Sequence, residues 1–519
     1  MGVEKLNNNP EVSNRLVPRA FGDLRGWIEA LRIEGEIHEI EAEVDWNCEL
    51  GTIARRAFGN GDGPALLFDN ISGYGPGDDV WCRRVFTGGM SNYTRVAMTL
   101  GLPKDAPVRD MVQAVRYYLD QRVPPVEVET GKVKENIHQG DDIDLYKIPV
   151  PRWHREDGGR YINTYQATIT MDPDTGVHNV GLYRGMLGEK KNTLPVLLWR
   201  AQHWGVHFEK WRQRGMKMPV AHVYGWEPSM SFCASAPVPT GVCEYEVMGA
   251  MRGEPVPLVK CETSDLWVPA DAEMVIEGFI DDDPATFEME GPFGEYTGYF
   301  GGDQGPKHVT QVTCVTHRDD PIHRGTLEGT MPKMLNENSV TSSVQRAGIA
   351  WNVLERAGVP GITDVHCPAA NNGTSLMIQI HQTYRGQAKQ AAAAIWGSNA
   401  AHLRYKNIWV VDEDIDIHDY GALDWALAYR VNAAEDDIVF FPSTFGSLLD
   451  PSTRLADRDP MLYGTGKWTR MLIDATVNMD FDPEEQYGGN RYPPMVIPHD
   501  EDWEKVDSRW EEYGFKRDK

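Results

Sequence analysis

The sequence predicts an α/β chain of several domains: an N-terminal α/β part, a β-rich middle and a C-terminal α/β part that ends in a helix. Three observations predict this. The chain has 519 residues, too many for a single ordinary core, so two or three domains are expected. Its 41% hydrophobic and 25% charged residues can fill cores of normal size and exclude wholesale disorder. The texture of the sequence also changes twice, at Pro125 and past Asp320, so the expected domains are 1–125, 126–325 and 326–519.

In the first domain, Leu24, Trp27, Ile28 and Leu31 fall on one face of a helix over Phe21–Glu34, with Asp23 near its start and Gly35 placed to stop it. Ser91–Gly101 reads as a weaker helix, and Val108–Leu119 as a second amphipathic one closed by Pro124-Pro125. The middle domain has short β-prone runs at Thr164–Met171, Leu194–Leu198, Val256–Cys261 and His308–Thr316, which suggest a barrel or strongly curved sheet. Strand and helix then alternate. Helices are expected at Ser342–Ala357 and Gln387–Trp396, and strands at Ile362–Cys367, Leu376–His381 and Ile408–Val411. Glu501–Phe515, with Trp503, Val506 and Trp510, reads as an amphipathic helix that docks elsewhere on the molecule or on a second subunit.

Charge and cysteine usage narrow the function. Against 77 Asp plus Glu stand 51 Lys plus Arg, a formal net charge of −26, which repels phosphate backbones and anionic head groups. Neither a nucleic acid nor a membrane is an expected partner. The seven cysteines are scattered, with no C-x-x-C pair, which fits a reducing cytoplasm. No export leader and no run of about 18 apolar residues occurs, and Leu6 stands where N-myristoylation needs Ser or Thr.

The signatures of serine hydrolases, zincins and P-loop proteins are missing. Glu290-Gly-Pro-Phe-Gly-Glu295 instead places two carboxylates five residues apart on a turn set by Gly291, Pro292 and Gly294. Both could reach one space and titrate as a pair. Upstream, Tyr161–Thr164 opens a strand, and after the turn at Asp172–Gly176 a returning strand carries Asn179 and Arg184. Arg is a permanently charged fork for a carboxylate. Gln202-His203 and Pro239-Thr-Gly-Val-Cys-Glu244 add an imidazole and a carboxylate. Asn, His and Glu together make a mixed N/O ligand set suited to Mn²⁺ or Mg²⁺. Each feature also has a plainer reading: a solvated acidic turn, and a histidine packed beside Trp204. Asp412–Asp416 with His418 reads as a hydrated strand end, Ala391–Ala394 as a packed helix face and Gly301–Gly305 as a hairpin closure.

The ordered series of Asn179 with Arg184, Gln202-His203, the segment ending in Glu244, and Glu290–Glu295 resembles the UbiD-type reversible decarboxylases. The resemblance runs from about Gly158 to Tyr299, and more loosely through Val410–Asp416 to Gly464–Trp468. It implies a central split β-barrel, flavin-binding-like domain and prenylated FMN as cofactor, with Mn²⁺ (or Mg²⁺) and K⁺. By motif position, Asn179, His203 and Glu244 would hold Mn²⁺. Val180, Cys233, Ala234, Ala236 and Glu244 would surround K⁺, while Gln202, Ser235, Pro237 and Arg184 complete the cofactor contacts. Arg184, Glu290 and Glu295 would form the catalytic network, with Glu295 protonating a substrate attached covalently to the flavin. Cleaving an aryl or vinyl C–CO₂⁻ bond leaves an electron pair that no side chain can delocalise, which is why a cofactor is needed.

The implied reaction is reversible, non-oxidative decarboxylation of an aromatic, heteroaromatic (phenazine-, hydroxybenzoate-, pyrrole- or indole-type) or α,β-unsaturated acid, with release of CO₂. Implied partners are a flavin prenyltransferase that supplies the cofactor and further copies of the chain in a homodimer or larger oligomer. The alternatives are an FMN-dependent oxidoreductase on a split-barrel fold and a non-catalytic subunit of a carboxylase complex. One departure stands out: some members place a lysine on the cofactor phosphate just before the strand at Ile408, where this chain reads Ser398-Asn399-Ala400-Ala401-His402. Leu327–Ser339, with Met331, Met334, Asn336 and Glu337, is expected to supply pocket walls.

Overall fold

A computed structural model describes residues 15–59, 61–236, 238, 241–302, 304–401, 403–462 and 464–516. Leu6, Pro237, Pro239, Thr240, Asp303 and His402, which figure in the sequence reading, lie outside the described residues. The N-terminal part begins with α1 (Leu24–Glu34), which starts three residues later than expected because the Asp23 side chain caps the Gly26 N–H; Gly35, at φ +72°, ends it. Strand β1 (Ile37–Ile40) pairs in parallel with β2 (Ala65–Phe68), and β2 pairs antiparallel with β3 (Arg84–Thr87). The fourth strand of this sheet, Ile322–Arg324, comes from far along the chain and pairs in parallel with β3. Helices α2 (Tyr93–Thr99, capped by Asn92) and α3 (Val108–Asp120) follow.

The middle part is built on a seven-stranded antiparallel sheet. Its path runs Thr193–Pro195, Val309–His317, Met274–Ile280, Met218–Tyr224, Ala167–Met171 and His178–Gly181, with Asn136–Gln139 also paired to Val309–His317. The two ends of that path do not pair with each other, so among the described residues the expected barrel is an open sheet. The predicted hairpin is present: Thr168–Met171 pairs with His178–Gly181 around the turn at Asp172–Gly176.

The C-terminal part is a five-stranded mixed sheet, ordered Ile362–His366, Ser375–Ile380, Asn407–Asp412, Lys467–Ala475 and Ile438–Phe445. The last two strands are additions to the predicted set. Of the predicted packed face Ala391–Ala394, only Ala391 and Ala392 are buried, on a helix at Gln387–Trp396; Ala393 is exposed and Ala394 half-buried, because successive residues of a helix turn away from the core. The acidic strand end is more than hydrated surface: Arg430 pairs with Asp414 and lies 3.5 Å from Asp412, and burial pushes the Asp412 carboxyl up to about 6. The terminal helix spans Asp500–Ser508, followed by a 3-10 turn at Trp510–Tyr513, and Trp503 on it is exposed. One apolar core joins the parts, running from Val112 and Val115 through Val180 and Val275 to Val344, Ile378 and Val410. No helix among the described residues is long and apolar enough to cross a membrane.

Helix α4 (Glu337–Arg356) threads through this core. It begins five residues before the predicted start because Asn336 and Ser339 form a capping box. Glu337, expected in a pocket wall, is fully buried at the helix start. It accepts the N–H groups of Gly88 and Met90, both at 2.8 Å, and pairs with Arg324. Burial acts to raise its pKa, but Arg324 and the two N–H donors outweigh burial, so the carboxyl titrates below its ordinary 4.5. The stability this gives is present above pH 4.5 and lost as pH falls through the lower folded value. Glu337→Ala, which strands Arg324 in the core, is expected to cost about 3–5 kcal/mol in denaturant unfolding at pH 7, with the deficit shrinking in acid.

Candidate active site

A cavity of about 470 Å³ opens where the middle sheet, α4 and the C-terminal part meet. The hairpin returning from the turn at Asp172–Gly176 places Asn179 and Val180 on its strand. Arg184 lies just beyond, in the bend before Gly185–Met186, which pairs with Tyr161–Asn163. Facing Arg184 is a second, nested hairpin: Glu288–Glu290 pairs with Gly305–Lys307, and Phe293–Gly294 pairs with Phe300–Gly301. Its tip is Glu295–Tyr299. Gly301 and Gly305 therefore lie on the returning limb, with the hairpin closed elsewhere.

The two carboxylates of Glu290–Glu295 are brought together by Arg184. Its Nη2 donates to Glu290 Oε2 at 2.9 Å, and its Nη1 donates to Glu295 and to the Gly301 carbonyl, the latter at 3.2 Å. Tyr161 donates its hydroxyl to the other Glu290 oxygen at 2.8 Å. Glu290 is 0% exposed and does not line the cavity, whereas Glu295 and Arg184 do. The two acids thus have different surroundings. Glu290 is enclosed behind the guanidinium, and Glu295 faces the open space. Burial pushes the Glu295 carboxyl above its ordinary range, with Arg184 opposing. Burial acts to lower the Arg184 pKa, but Glu290 and Glu295 outweigh it, and the guanidinium stays protonated.

The second predicted group also converges. His203 opens the helix His203–Gln213, and its Nδ1 lies 3.2 Å from Asn179 Oδ1. Burial lowers the His203 pKa, which favours the neutral imidazole that a metal ligand needs. Glu244, at the start of the helix Glu244–Arg252, accepts the Val180 N–H at 2.9 Å; burial pushes its carboxyl up to about 8, opposed only by backbone N–H groups. An amide oxygen, an imidazole and a buried carboxyl with no cationic side chain to neutralise it suit a hard divalent ion. Val180, Gln202, Ala234, Ser235 and Ala236 line the same cavity. Cys233 does not; its side chain lines a small apolar pocket beside Phe232 and Met251. The Ala234 carbonyl accepts the Leu182 N–H at 3.2 Å, which ties this segment to the Asn179–Arg184 strand.

Four cavity residues with charged or amide side chains carry no motif of their own in the sequence: Glu328, Asn338, Arg346 and Arg404. Of the expected wall Leu327–Ser339, only Glu328 and Asn338 line the cavity. Glu328 is buried; burial, and then the charge of Glu295, push its carboxyl up to about 8 against a hydrogen bond from Asn338 and the charge of Arg55, and its Oε2 has no hydrogen-bond partner. No local motif marks it. Gly302 did carry a signal, since its glycine-rich run was noted. Its φ is +75°, and a Cβ there would come within 2.5 Å of Arg184 Nη2.

With this geometry in view, the comparisons with known proteins assign a class. Three family models match in succession: the N-terminal domain of 3-octaprenyl-4-hydroxybenzoate carboxy-lyase over residues 28–115, its Rift-related domain over 125–331 and its C-terminal domain over 339–475. The chain belongs to the UbiD family and is a carboxy-lyase. It is 32% identical over 512 residues to the pyrrole-2-carboxylic acid decarboxylase of Pseudomonas aeruginosa, covering 96% of this chain and 99% of that one. Among solved structures it resembles the UbiD-class enzyme HmfF of Pelotomaculum thermopropionicum in complex with FMN, at TM-score 0.76 and 30% identity, with 93% and 99% of the two chains covered. It also resembles the vanillic acid decarboxylase of Sedimentibacter hydroxybenzoicus, at TM-score 0.82 and 28% identity, with 95% and 99% covered.

Gly302→Ala should displace the Arg184 guanidinium while leaving the partly exposed backbone folded. A loss of decarboxylation rate of about a hundredfold is expected for a shift of that size, with circular dichroism unchanged, as measured by CO₂ release.

Proposed function

We propose that the chain is a reversible, non-oxidative decarboxylase of an aromatic, heteroaromatic or α,β-unsaturated acid that works with prenylated FMN, Mn²⁺ (or Mg²⁺) and K⁺. The observation that carries this reading is Arg184 bridging Glu290 and Glu295 in the cavity that also gathers Asn179, His203 and Glu244. Relatives named for pyrrole-2-carboxylic and vanillic acids support a ring substrate, and a neighbour in complex with FMN supports a flavin.

Asn179, His203 and Glu244 would hold the divalent ion that retains the cofactor phosphate, and the carbonyls near Val180 and Ala234–Ala236 would hold K⁺. Prenylated FMN, once bound, supplies the electron sink for the pair left by departing CO₂. The protein does the rest. Arg184 keeps its charge and draws the substrate carboxylate to the cavity wall. Glu290, out of contact with the cavity, acts through Arg184 as a positioning residue. Glu295 faces the reacting carbon and delivers a proton to it. Turnover of a carboxylate to a neutral product and CO₂ takes up one proton, so Glu295 must be recharged. Glu328, coupled to Glu295 and in its acid form at neutral pH, suits that task.

Produced alongside a flavin prenyltransferase and screened on a panel of ring acids, the wild type should release CO₂. Glu295→Gln should keep its flavin and lose turnover; full turnover in that variant would sink the acid–base assignment. His203→Ala should instead lose the flavin itself, read from the absorbance of the purified protein. The pH profile gives a separate check: kcat should fall as pH rises through the Glu328 value near 8, and that alkaline limb should disappear in Glu328→Gln.

A further inference from the structure

Several buried arginines of this fold have a carboxylate partner: Arg95 has Glu36, Arg116 has Glu355, Arg318 has Asp23 and Arg324 has Glu337. Others, such as Arg470, are spent on backbone carbonyls. Arg346 differs from both groups. It lines the cavity from α4, is 8% exposed, and its Nε has no hydrogen-bond partner. After burial itself, the groups that act most strongly on it are Arg404, Tyr405, Cys367 and Tyr296, none of them a carboxylate; burial and then Arg404 pull the guanidinium down to about 9.

Arg404 lines the same cavity. It stacks 4.3 Å from the Tyr296 ring centre, donates Nη1 to the neighbouring Leu403 carbonyl at 2.9 Å, and leaves Nε unpartnered. A buried guanidinium with a second, half-buried one acting on it across the same cavity and no carboxylate among its strongest influences is costly, and each is a fork shaped for phosphate or carboxylate oxygens.

The fold makes specific room for this pair. Gly373, at φ +72°, passes so close that a Cβ would lie 2.1 Å from Arg346 Cδ. Tyr405 donates its hydroxyl to the Arg346 carbonyl at 2.8 Å. Gln345, the preceding residue, donates to the Phe232 carbonyl at 2.6 Å and to Ser235 at 2.9 Å, which docks this turn of α4 against the Ala234–Ala236 segment of the cavity. Arg404 stands two residues beyond His402, the end of the segment Ser398–His402 where some members place a lysine, and Asn399 and Ala400 line the same cavity.

We propose that Arg346 and Arg404 together seat the phosphate of the flavin cofactor, a dianion met by two forked cations. The assignment rests on the flavin reading of the function. The same chemistry would also suit a second carboxylate on the substrate, so the test separates the two sources. Flavin-free full-length protein is titrated with FMN and with riboflavin, which lacks the phosphate, and binding is followed by flavin fluorescence.

The wild type should prefer FMN. Arg346→Gln and Arg404→Gln should each weaken FMN by about tenfold or more, the size expected for a lost charge-assisted contact, and leave riboflavin within about twofold, with Arg346→Lys recovering part of the loss. Riboflavin affinity held at the wild-type level shows that the variants fold, and Arg404, on the more exposed side, gives a second route if Arg346→Gln does not. A wild-type preference for FMN that survives in both variants overturns the arginine assignment alone, and so does a raised KM for a dicarboxylic acid with FMN affinity intact. A wild type that binds FMN no better than riboflavin overturns the flavin reading with it.

Discussion

The arrangement around the cavity depends on the balance of charge at Arg184. A guanidinium taken out of water is tolerated only if anions repay its lost hydration, and here Glu290 and Glu295 do so from one limb of the nested hairpin. The same pairing fixes the protonation pattern. Arg184 holds two nearby acids at once, yet Glu295, enclosed and facing the cavity, still sits above the ordinary carboxylate range. The general-acid role proposed for Glu295 needs a proton kept from solvent, and this enclosure provides that condition.

Much of this was legible in the sequence for a physical reason. The residues that meet at the cavity stand in segments with stiff local geometry: a strand with alternating sides for Asn179, a helix start for His203 and another for Glu244, and for Glu290 and Glu295 two short strands joined by Gly291-Pro292, where the sequence suggested a turn. Local geometry also explains the start of α1 at Asp23 and its stop at Gly35. The amphipathic helix of Val108–Leu119 was readable because one face carries the core. What local pattern could not convey was depth. The spacing of the motif shows Glu290 and Glu295 as equals and only the family resemblance implied a different role for Glu295; the packing of Tyr161 and Arg184 is what encloses one acid and leaves the other at the cavity.

The missed residues share a cause. Glu328, Arg346 and Arg404 carry no repeating spacing, and each gains its meaning from a partner distant in sequence: Glu295 for Glu328, and the cavity itself for the two arginines. The strands Ile438–Phe445 and Lys467–Ala475 were missed for a related reason. The first lies at the sheet edge with Phe440 and Phe441 exposed, so its apolar residues mark no buried face. Glu337 shows the reverse error: an acid in an expected pocket wall turned out to be a structural anchor, because the capping box at Asn336 draws the helix start back into the core.

Charge compensation also separates structural from functional burial. Glu337 with Arg324, and Arg95 with Glu36, are enclosed pairs whose charges cancel within the chain, and their role is to fix how elements meet. Glu244, Glu328 and Arg346 are also buried, but no such ion pair holds them: at Glu328, Arg55 acts more weakly than burial and the charge of Glu295, and all three residues line one cavity. A fold that buried these charges for stability alone would have paired them or replaced them with apolar groups of similar size, at little cost or some gain. Their positions sort by sign. Two acids that need a cation or a proton sit near Val180 and Glu295, and two cations that need an anion sit where α4 meets the segment before Asn407. That distribution matches a ligand with an anionic end held by ions and arginines, and a reactive end where protons move.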